Sequence, residues 1–452
     1  MSKRVGTLCI LVLTLLYGSC IYAASPEIST LQKLADQGDP DAQIKLGRAY
    51  HEGDGVAKDD AEAVKWFRKA AEQGNAEAQL LLGFCYGAGI GIEEDHAEAV
   101  KWFRKAAEQG NAEAQLCLGI SYLQDDPMPK DTTEAAKWFR KAAEQGNDEA
   151  QFYLGLSYLH GEGVDKDAAE AVNWFRKAAD QGEVRGQYYL GSSYENGRGV
   201  PQDAAEAVKW FRKAAEQGFA EAQYDLGVSY GRGRGVEKDD AEAVKWYRRA
   251  AEQGFPPAQG NLGVAYHQGE GVEKDYAEAA KWFRMAAEQG DVVAQSNLGA
   301  CYHHGEGVEK DYAEAAKWFR LAAEQGNVKA QSMLGRYYYY GMGVAKDAAE
   351  AVKWFRMVAE QGDADAQYVL AKCYHEGTGV DKDDAETMKW IGKLREAAQQ
   401  GNAVSQYNLG AWYHEEADAG KDDAEAVKWL RKAAEQGDAG AQEMLQNIMS
   451  KQ

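Results

Sequence analysis

Six cysteines and seven prolines in 452 residues are too few for a disulfide framework or for proline-rich linkers. No long serine-rich or glycine-rich stretch marks a domain boundary, so a chain this long has to be one array built by repetition. Catalytic signatures are missing as well. His-Glu-x-x-His, the phosphate-binding Gly-x-x-x-x-Gly-Lys-Ser/Thr and Ser-x-x-Lys do not occur, and the one Gly-x-Ser-x-Gly match, Gly227-Val228-Ser229-Tyr230-Gly231, falls inside a first-helix repeat pattern and not at a strand-to-helix turn. Basic residues fail to balance the acids, 51 Lys and Arg against 72 Asp and Glu: a net charge of -21 argues against a groove for nucleic acid or anionic lipid, because like charges repel over a Debye length of ~8 Å. Basic partners suit such a chain. The blander source of the charge is helix caps and solvated faces, since each repeat carries the same Asp and Glu positions.

The N-terminus differs from everything after it. Lys3 and Arg4 precede an apolar run from about Leu8 to Tyr17, and small residues follow through Ala23 and Ala24. This is the order of a secretory signal spanning 1–23, too short to cross a membrane comfortably. Cys20, after Tyr17-Gly18-Ser19, keeps a lipidated membrane anchor open as a second reading. No Asn-x-Ser/Thr sequon occurs, which favours a bacterial periplasmic or secreted setting. Of the remaining thiols, Cys85, Cys301 and Cys373 directly precede the same repeat tyrosine and read as small packing residues. Cys85 with Cys117 is the one bridge between adjacent repeats that merits testing.

What is abundant is period. Trp66, Trp102, Trp138, Trp174, Trp210, Trp246, Trp282, Trp318, Trp354 and Trp390 follow one another every 36 residues, and Trp429 comes 39 later, which makes eleven copies. Each copy holds two helix patterns. The first runs through Ala42, Leu46 and Tyr50, four residues apart on one face, with Gly47 placed to let another helix come close. The second spans Ala63 to Gln73, with Ala63, Phe67, Ala70 and Ala71 inward and Lys65, Arg68, Lys69 and Glu72 on the solvated side. Asp59 with Glu62, repeated down to Asp422 with Glu425, is a capping-box arrangement in which the Glu is expected to reach back to the cap. Gly74 and its equivalents supply the helix stop. The expected layout is therefore a signal at 1–23, an N-terminal cap at 24–38, repeats over 39–437 and a capping helix at 438–452. Two irregularities stand out. Copy three replaces its Gly-x-Gly-Val loop by Asp125-Asp126-Pro127-Met128-Pro129, and copy ten inserts three residues after Trp390, which should alter the stacking near Gly401.

The segments Ala-Gln-x-x-Leu-Gly, Gly-x-Gly-Val-x-Lys-Asp and Ala-Val-Lys-Trp-Phe-Arg-Lys-Ala-Ala-Glu-Gln-Gly resemble those of the Sel-one-like repeat family, relatives of tetratricopeptide repeats, over roughly 30–449. The resemblance implies an all-α, right-handed superhelical solenoid of helix-loop-helix repeats. It also implies a non-catalytic scaffold that holds protein partners without cofactor or metal. A cysteine-rich branch of that family is linked with penicillin binding and weak beta-lactam hydrolysis. That is the alternative function, although the regular paired cysteines of the branch are absent here.

By analogy, partners lie against the concave face lined by first helices, at positions two before Leu, two after it and one after Tyr. Those positions hold Leu80 and Phe84, then Leu116, Ile120 and Leu123, then Phe152, Leu156 and Leu159, then Tyr188. They are expected to form an apolar ladder for a basic or amphipathic segment, against the plainer reading that they fill gaps between helices. A second patch runs from Met333 and Arg336 through Tyr337, Tyr339 and Tyr340 to Tyr368, with Tyr338 as the structural tyrosine. Histidines 51, 267, 303, 375 and 414 all follow the repeat tyrosine, at a helix C-terminus where positive charge is favoured, and read as structural.

Overall fold

The computed structural model describes residues 28–125, 128–415 and 422–450. The signal segment, Cys20 and Ala24 lie outside the described residues. So do Asp126 and Pro127 of the copy-three loop.

Among the described residues every regular element is an α-helix, and most are 13 residues long. Copy one shows the pattern with a first helix Pro40–Glu52 and a second helix Asp60–Glu72. Asp39 caps the first by accepting from the Ala42 amide, and Gly53 ends it at φ 78°, the left-handed conformation that glycine adopts without strain. Asp59 caps the second by accepting from the Glu62 amide at 2.9 Å. Only half of the expected capping box forms. The Glu62 side chain accepts from Lys65 at 2.7 Å instead of reaching back to the cap, and in three copies it also accepts from the indole: Trp210 Nε1 donates to Glu206, Trp390 Nε1 to Glu386 and Trp429 Nε1 to Glu425. A lysine one turn on offers an ion pair that a single cap amide does not.

The chain divides into two compact units after Glu237. The first holds helix Ile28–Asp36, copies one to five and the first helix of copy six, Ala220–Arg232. The second holds the second helix of copy six, Asp240–Glu252, copies seven to eleven and the last helix, Ala439–Met449. Within a unit, the core is a series of clusters, and a regular one is made by one copy's second helix, the next copy's first helix and that next copy's tryptophan. One such cluster joins Ala63, Val64, Phe67, Ala70 and Ala71 to Ala78, Leu82, Cys85 and Trp102. Burial of a Phe or Leu side chain contributes about 1.5–3 kcal/mol, so each junction carries several such terms. Glycine sets the closeness inside a copy. A Cβ on Gly47 would lie 2.5 Å from the Phe67 ring, and one on Gly119 would lie 2.6 Å from Phe139.

Two polar ladders fix the spacing between copies. Gln43, buried at 3% exposure, accepts from Gln73 Nε2 at 2.8 Å and donates to the Ala35 carbonyl at 3.0 Å. Gln79, Gln115, Gln151 and Gln187 repeat both bonds. Arg68 is not merely solvated, as its helix pattern suggests: its guanidinium donates to the Tyr86 hydroxyl of the next copy at 2.8 Å, and Arg104 does the same to Tyr122 at 2.9 Å. Lys69 likewise lies over the Trp66 ring, 3.6 Å from its centre.

Both irregular copies depart as the sequence suggests. The first helix of copy three stops early, Ala112–Tyr122, and ends on Leu123 without a left-handed glycine. The second helix of copy ten lengthens to Asp384–Gln399. Its three extra residues sit between Trp390 and Leu394, because Arg395 keeps its bond to Tyr413, 18 residues on.

Candidate partner-binding face

First helices present three kinds of position. Ala42, Gln43, Leu46 and Gly47 are buried in every regular copy, Tyr86 and its equivalents in the later copies take the arginine of the copy before, and the remaining positions vary. The fifteen residues singled out from the sequence fall on these variable positions, and the structure divides them.

Five are in the core. Leu80 is 4% exposed and Phe84 1%; both pack with Val100, Phe103 and Trp138, and the Phe84 and Phe103 rings meet edge on at 5.3 Å. Leu116 packs with Phe139 and Leu154, and Phe152 with Phe175 and Leu190. Tyr337 is fully buried against Phe319 and its hydroxyl meets His303 Nδ1 at 2.7 Å. A partner cannot touch these five without opening a copy, so the continuous exposed ladder is corrected. For them the gap-filling reading holds, because the first helices stack closely enough for large side chains at these positions to fill the space beside the neighbouring second helix.

The others remain accessible. Ile120, Leu123, Leu156 and Leu159 are half-buried and stand in pairs 36 residues apart, 120 with 156 and 123 with 159, on consecutive first helices. Tyr188 is half-buried beside Phe219, 5.2 Å between ring centres, and its hydroxyl donates to Asp225. Burial pushes the Asp225 carboxyl up to about 6, with Glu195 and Glu221 adding repulsion against the tyrosine bond. In the second unit, Met333, Tyr339 and Tyr368 are half-buried, Arg336 is exposed 3.9 Å from Asp365, and Tyr340 is 67% exposed. Tyr368 donates to Glu415 at 3.1 Å.

A row of charges at the second position of the first helices escaped sequence reading. Glu77, Glu113, Glu149 and Arg185 succeed one another at 36-residue steps. Arg48 pairs with Glu77 at 2.6 Å. Arg185 pairs with Glu149 at 3.0 Å and with Glu183 at 2.7 Å, and lies 4.5 Å above the Phe152 ring. Glu113 receives only the Asn147 amide, at 3.1 Å, and no cation pairs with it among the described residues. The signal was available in the repeat register itself, since the same column carries an acid in copies one to four.

The histidines have local partners. His51 Nδ1 meets Asp60 at 2.6 Å, His414 Nδ1 meets Asp423 at 2.8 Å, and His267 Nε2 meets Glu306 at 2.9 Å. Burial, with His304 and Lys310 nearby, holds the His303 imidazole below the usual range. Among the described residues no group of three His, Cys, Asp or Glu side chains is placed to hold a metal. Cys85 and Cys117 are not joined, and burial pushes the Cys85 thiol up to about 12 and those of Cys301 and Cys373 to about 11. No described helix is long and apolar enough to cross a membrane.

Comparison with known proteins agrees with this architecture. The Sel1 repeat model matches eleven consecutive segments from 40–75 to 403–438. A protective antigen of uropathogenic Escherichia coli displaying an SLR fold is 36% identical, covers 95% of this chain and 91% of its own, and superposes with a TM-score of 0.83. A Sel1 repeat protein from Oxalobacter formigenes is 38% identical over 69% of this chain and 90% of its own, with a TM-score of 0.54. No curated protein matches the chain. Repeat arrays of this kind present a surface for protein partners and leave their cores to packing. With its matched segments running unbroken from residue 40 to residue 438, the chain belongs to the Sel1 repeat family.

Proposed function

We propose that this protein is a non-catalytic interaction scaffold of the bacterial cell envelope or the secreted space. On this reading it holds a peptide or helix of a protein partner on the first-helix face of copies three to five. The observation that carries the reading is the pairing of half-buried apolar side chains in register, Ile120 with Leu156 and Leu123 with Leu159, with half-buried Tyr188 on the next first helix. A partner's amphipathic helix offers apolar residues at comparable intervals, and such anchors bury without disturbing the fold. Met333, Arg336, Tyr339, Tyr340 and Tyr368 form a second, more polar contact area in the other unit. The envelope or secreted setting rests on the N-terminal segment, whose cleavage would leave a chain beginning at Ala24, or on lipidation of Cys20.

The test is in-cell crosslinking from position 123 followed by capture with the variants Ile120→Asp, Leu156→Asp and Leu159→Asp. Capture of the crosslinked partner should fall by about tenfold or more while circular dichroism is unchanged. Undiminished capture by the triple variant refutes the face. Sequencing the N-terminus of the exported chain checks the setting.

A further inference from the structure

The row Glu77, Glu113, Glu149 is compensated at both ends and not in the middle. Arg48 comes from the copy before to pair with Glu77, and Arg185 comes from the copy after to pair with Glu149. Glu113 lies between them, mostly buried, facing Glu149 and Asp148 from the next first helix and held only by the Asn147 amide. From Glu113 the same helix stripe runs on through buried Leu116 to half-buried Ile120 and Leu123. From Glu149 it runs through buried Phe152 to Leu156 and Leu159. An apolar floor therefore has a carboxyl at one end of it with no cation of its own.

We propose that Glu113 is the seat for one basic side chain, Lys or Arg, of the partner segment whose apolar residues rest on Ile120, Leu123, Leu156 and Leu159. The inference builds on the proposed binding face and deepens it, because it says what chemistry selects the partner. Charge complementarity commits the occupant. A protein segment bearing a cation beside apolar residues answers both features, while an acidic or purely apolar segment leaves the carboxyl buried and unpaired, which is costly. Glu77 and Glu149 show how this row is satisfied elsewhere, in both cases by a guanidinium.

Seating a cation also has a proton signature. Burial, with Glu149 and Asp148 facing it, pushes the Glu113 carboxyl up to about 7 against the opposing Asn147 bond. A cation favours the ionised form, so binding releases a proton near neutral pH and tightens as pH rises through that value.

The experiment pans a displayed library of random 16-residue peptides against the full chain. One selected peptide is then measured by calorimetry on the parent, on Glu113→Gln and on the Ile120→Asp/Leu156→Asp double variant. Glutamine still accepts from Asn147, so the first variant keeps the fold, and circular dichroism verifies it. The expected result is a Lys or Arg flanked by apolar residues in the selected sequences, and affinity about tenfold lower on Glu113→Gln. Replacing that Lys or Arg by norleucine should cost no further affinity on the variant. Proton release, read from parent titrations in two buffers of different ionisation enthalpy, should vanish with Glu113→Gln. The seat is overturned if Glu113→Gln binds within twofold of the parent, or if norleucine costs as much on the variant as on the parent. Peptides that bind the Ile120→Asp/Leu156→Asp chain as well as the parent would overturn the face itself, a failure distinct from loss of the seat alone.

Discussion

Glu113 is a residue whose environment fixes the sign of a pH dependence. Its carboxyl titrates at about 7 in the folded chain against an ordinary 4.5, so the folded state binds the proton more tightly. The stability this group lends is therefore complete below about pH 4.5 and is lost as pH rises through about 7. Urea unfolding of the parent and of Glu113→Gln at pH 5 and pH 8 should give a difference that favours the variant by about 1–3 kcal/mol more at the higher pH. Parallel pH profiles would show that Glu113 is not perturbed by its neighbours. The residue scale is also where the sequence was hardest to read. Periodicity says which face of a helix a side chain occupies, and it placed Gly47 against a neighbouring helix correctly. It does not say how deep that face lies. Leu80, Phe84, Leu116 and Phe152 share a face with Ile120 and Leu156, yet the packing of adjacent second helices covers the former and leaves the latter half open. Charge in the same column was overlooked because a recurrent acid reads as a solvated position until its partners are seen.

At the scale of the element, copy ten shows how an insertion is absorbed by a repeat that has little tolerance for one. In regular copies a glycine admits the second-helix aromatic at van der Waals contact, and copy eleven keeps this with Gly410 against Leu430. Copy ten has Ala371 at the glycine position, and the lengthened helix brings Ile391 and Leu394 to the core together with Trp390. The cost is visible in the glutamine ladder. Gln361 still donates to Gln331, at 3.4 Å, and Gln436 donates to Gln406 at 2.8 Å, but the buried Gln367 Oε1 has no hydrogen-bond partner. An unsatisfied buried acceptor costs about 1–3 kcal/mol. Deleting residues 391–393 restores the 36-residue spacing and the sequence Trp-Leu-Arg seen at Trp429-Leu430-Arg431. It also drives Leu394 onto the Ala371 methyl. The deletion alone is thus expected to destabilise the chain, and the deletion with Ala371→Gly to recover or exceed parental stability by about 1–3 kcal/mol in chemical denaturation. Equal effects of the two variants would mean that Ala371 and the insertion are not coupled. The insertion itself was legible from the tryptophan spacing, whereas its coupling to Ala371 required the packing.

For the whole molecule, the consequence of stacking is that stability is local. A regular cluster draws on two successive copies: that around Phe283 and Leu298 joins Ala279, Ala286 and Ala287 of copy seven to Ala294 and Cys301 of copy eight, with Val264, Tyr266 and Trp318 at its edge, whereas the cluster around the lengthened helix of copy ten runs from Val352 of copy nine to Trp429 of copy eleven. The polar ladders have the same reach. Gln295 takes the Ala287 carbonyl of copy seven and the Gln325 amide of its own copy, and Arg284 ends on Tyr302. Among the described residues no bond of these two ladders passes over a copy, so a defect in a regular copy should propagate to nearest neighbours and fade beyond them. Leu298 is fully buried, and Leu298→Ala removes about 2–5 kcal/mol of packing from one junction. Hydrogen exchange read by mass spectrometry should accelerate across residues 256–327 and leave residues 403–415 and 422–449, in the same unit, at parental rates. Uniform acceleration through copy eleven would instead make the unit one cooperative block, with coupling between copies stronger than the side chains at any single junction can supply. The expected locality also bears on the scaffold reading. A partner seated on copies three and four then orders only the helices it touches, and the remaining copies stay available, each with its own surface, for other partners.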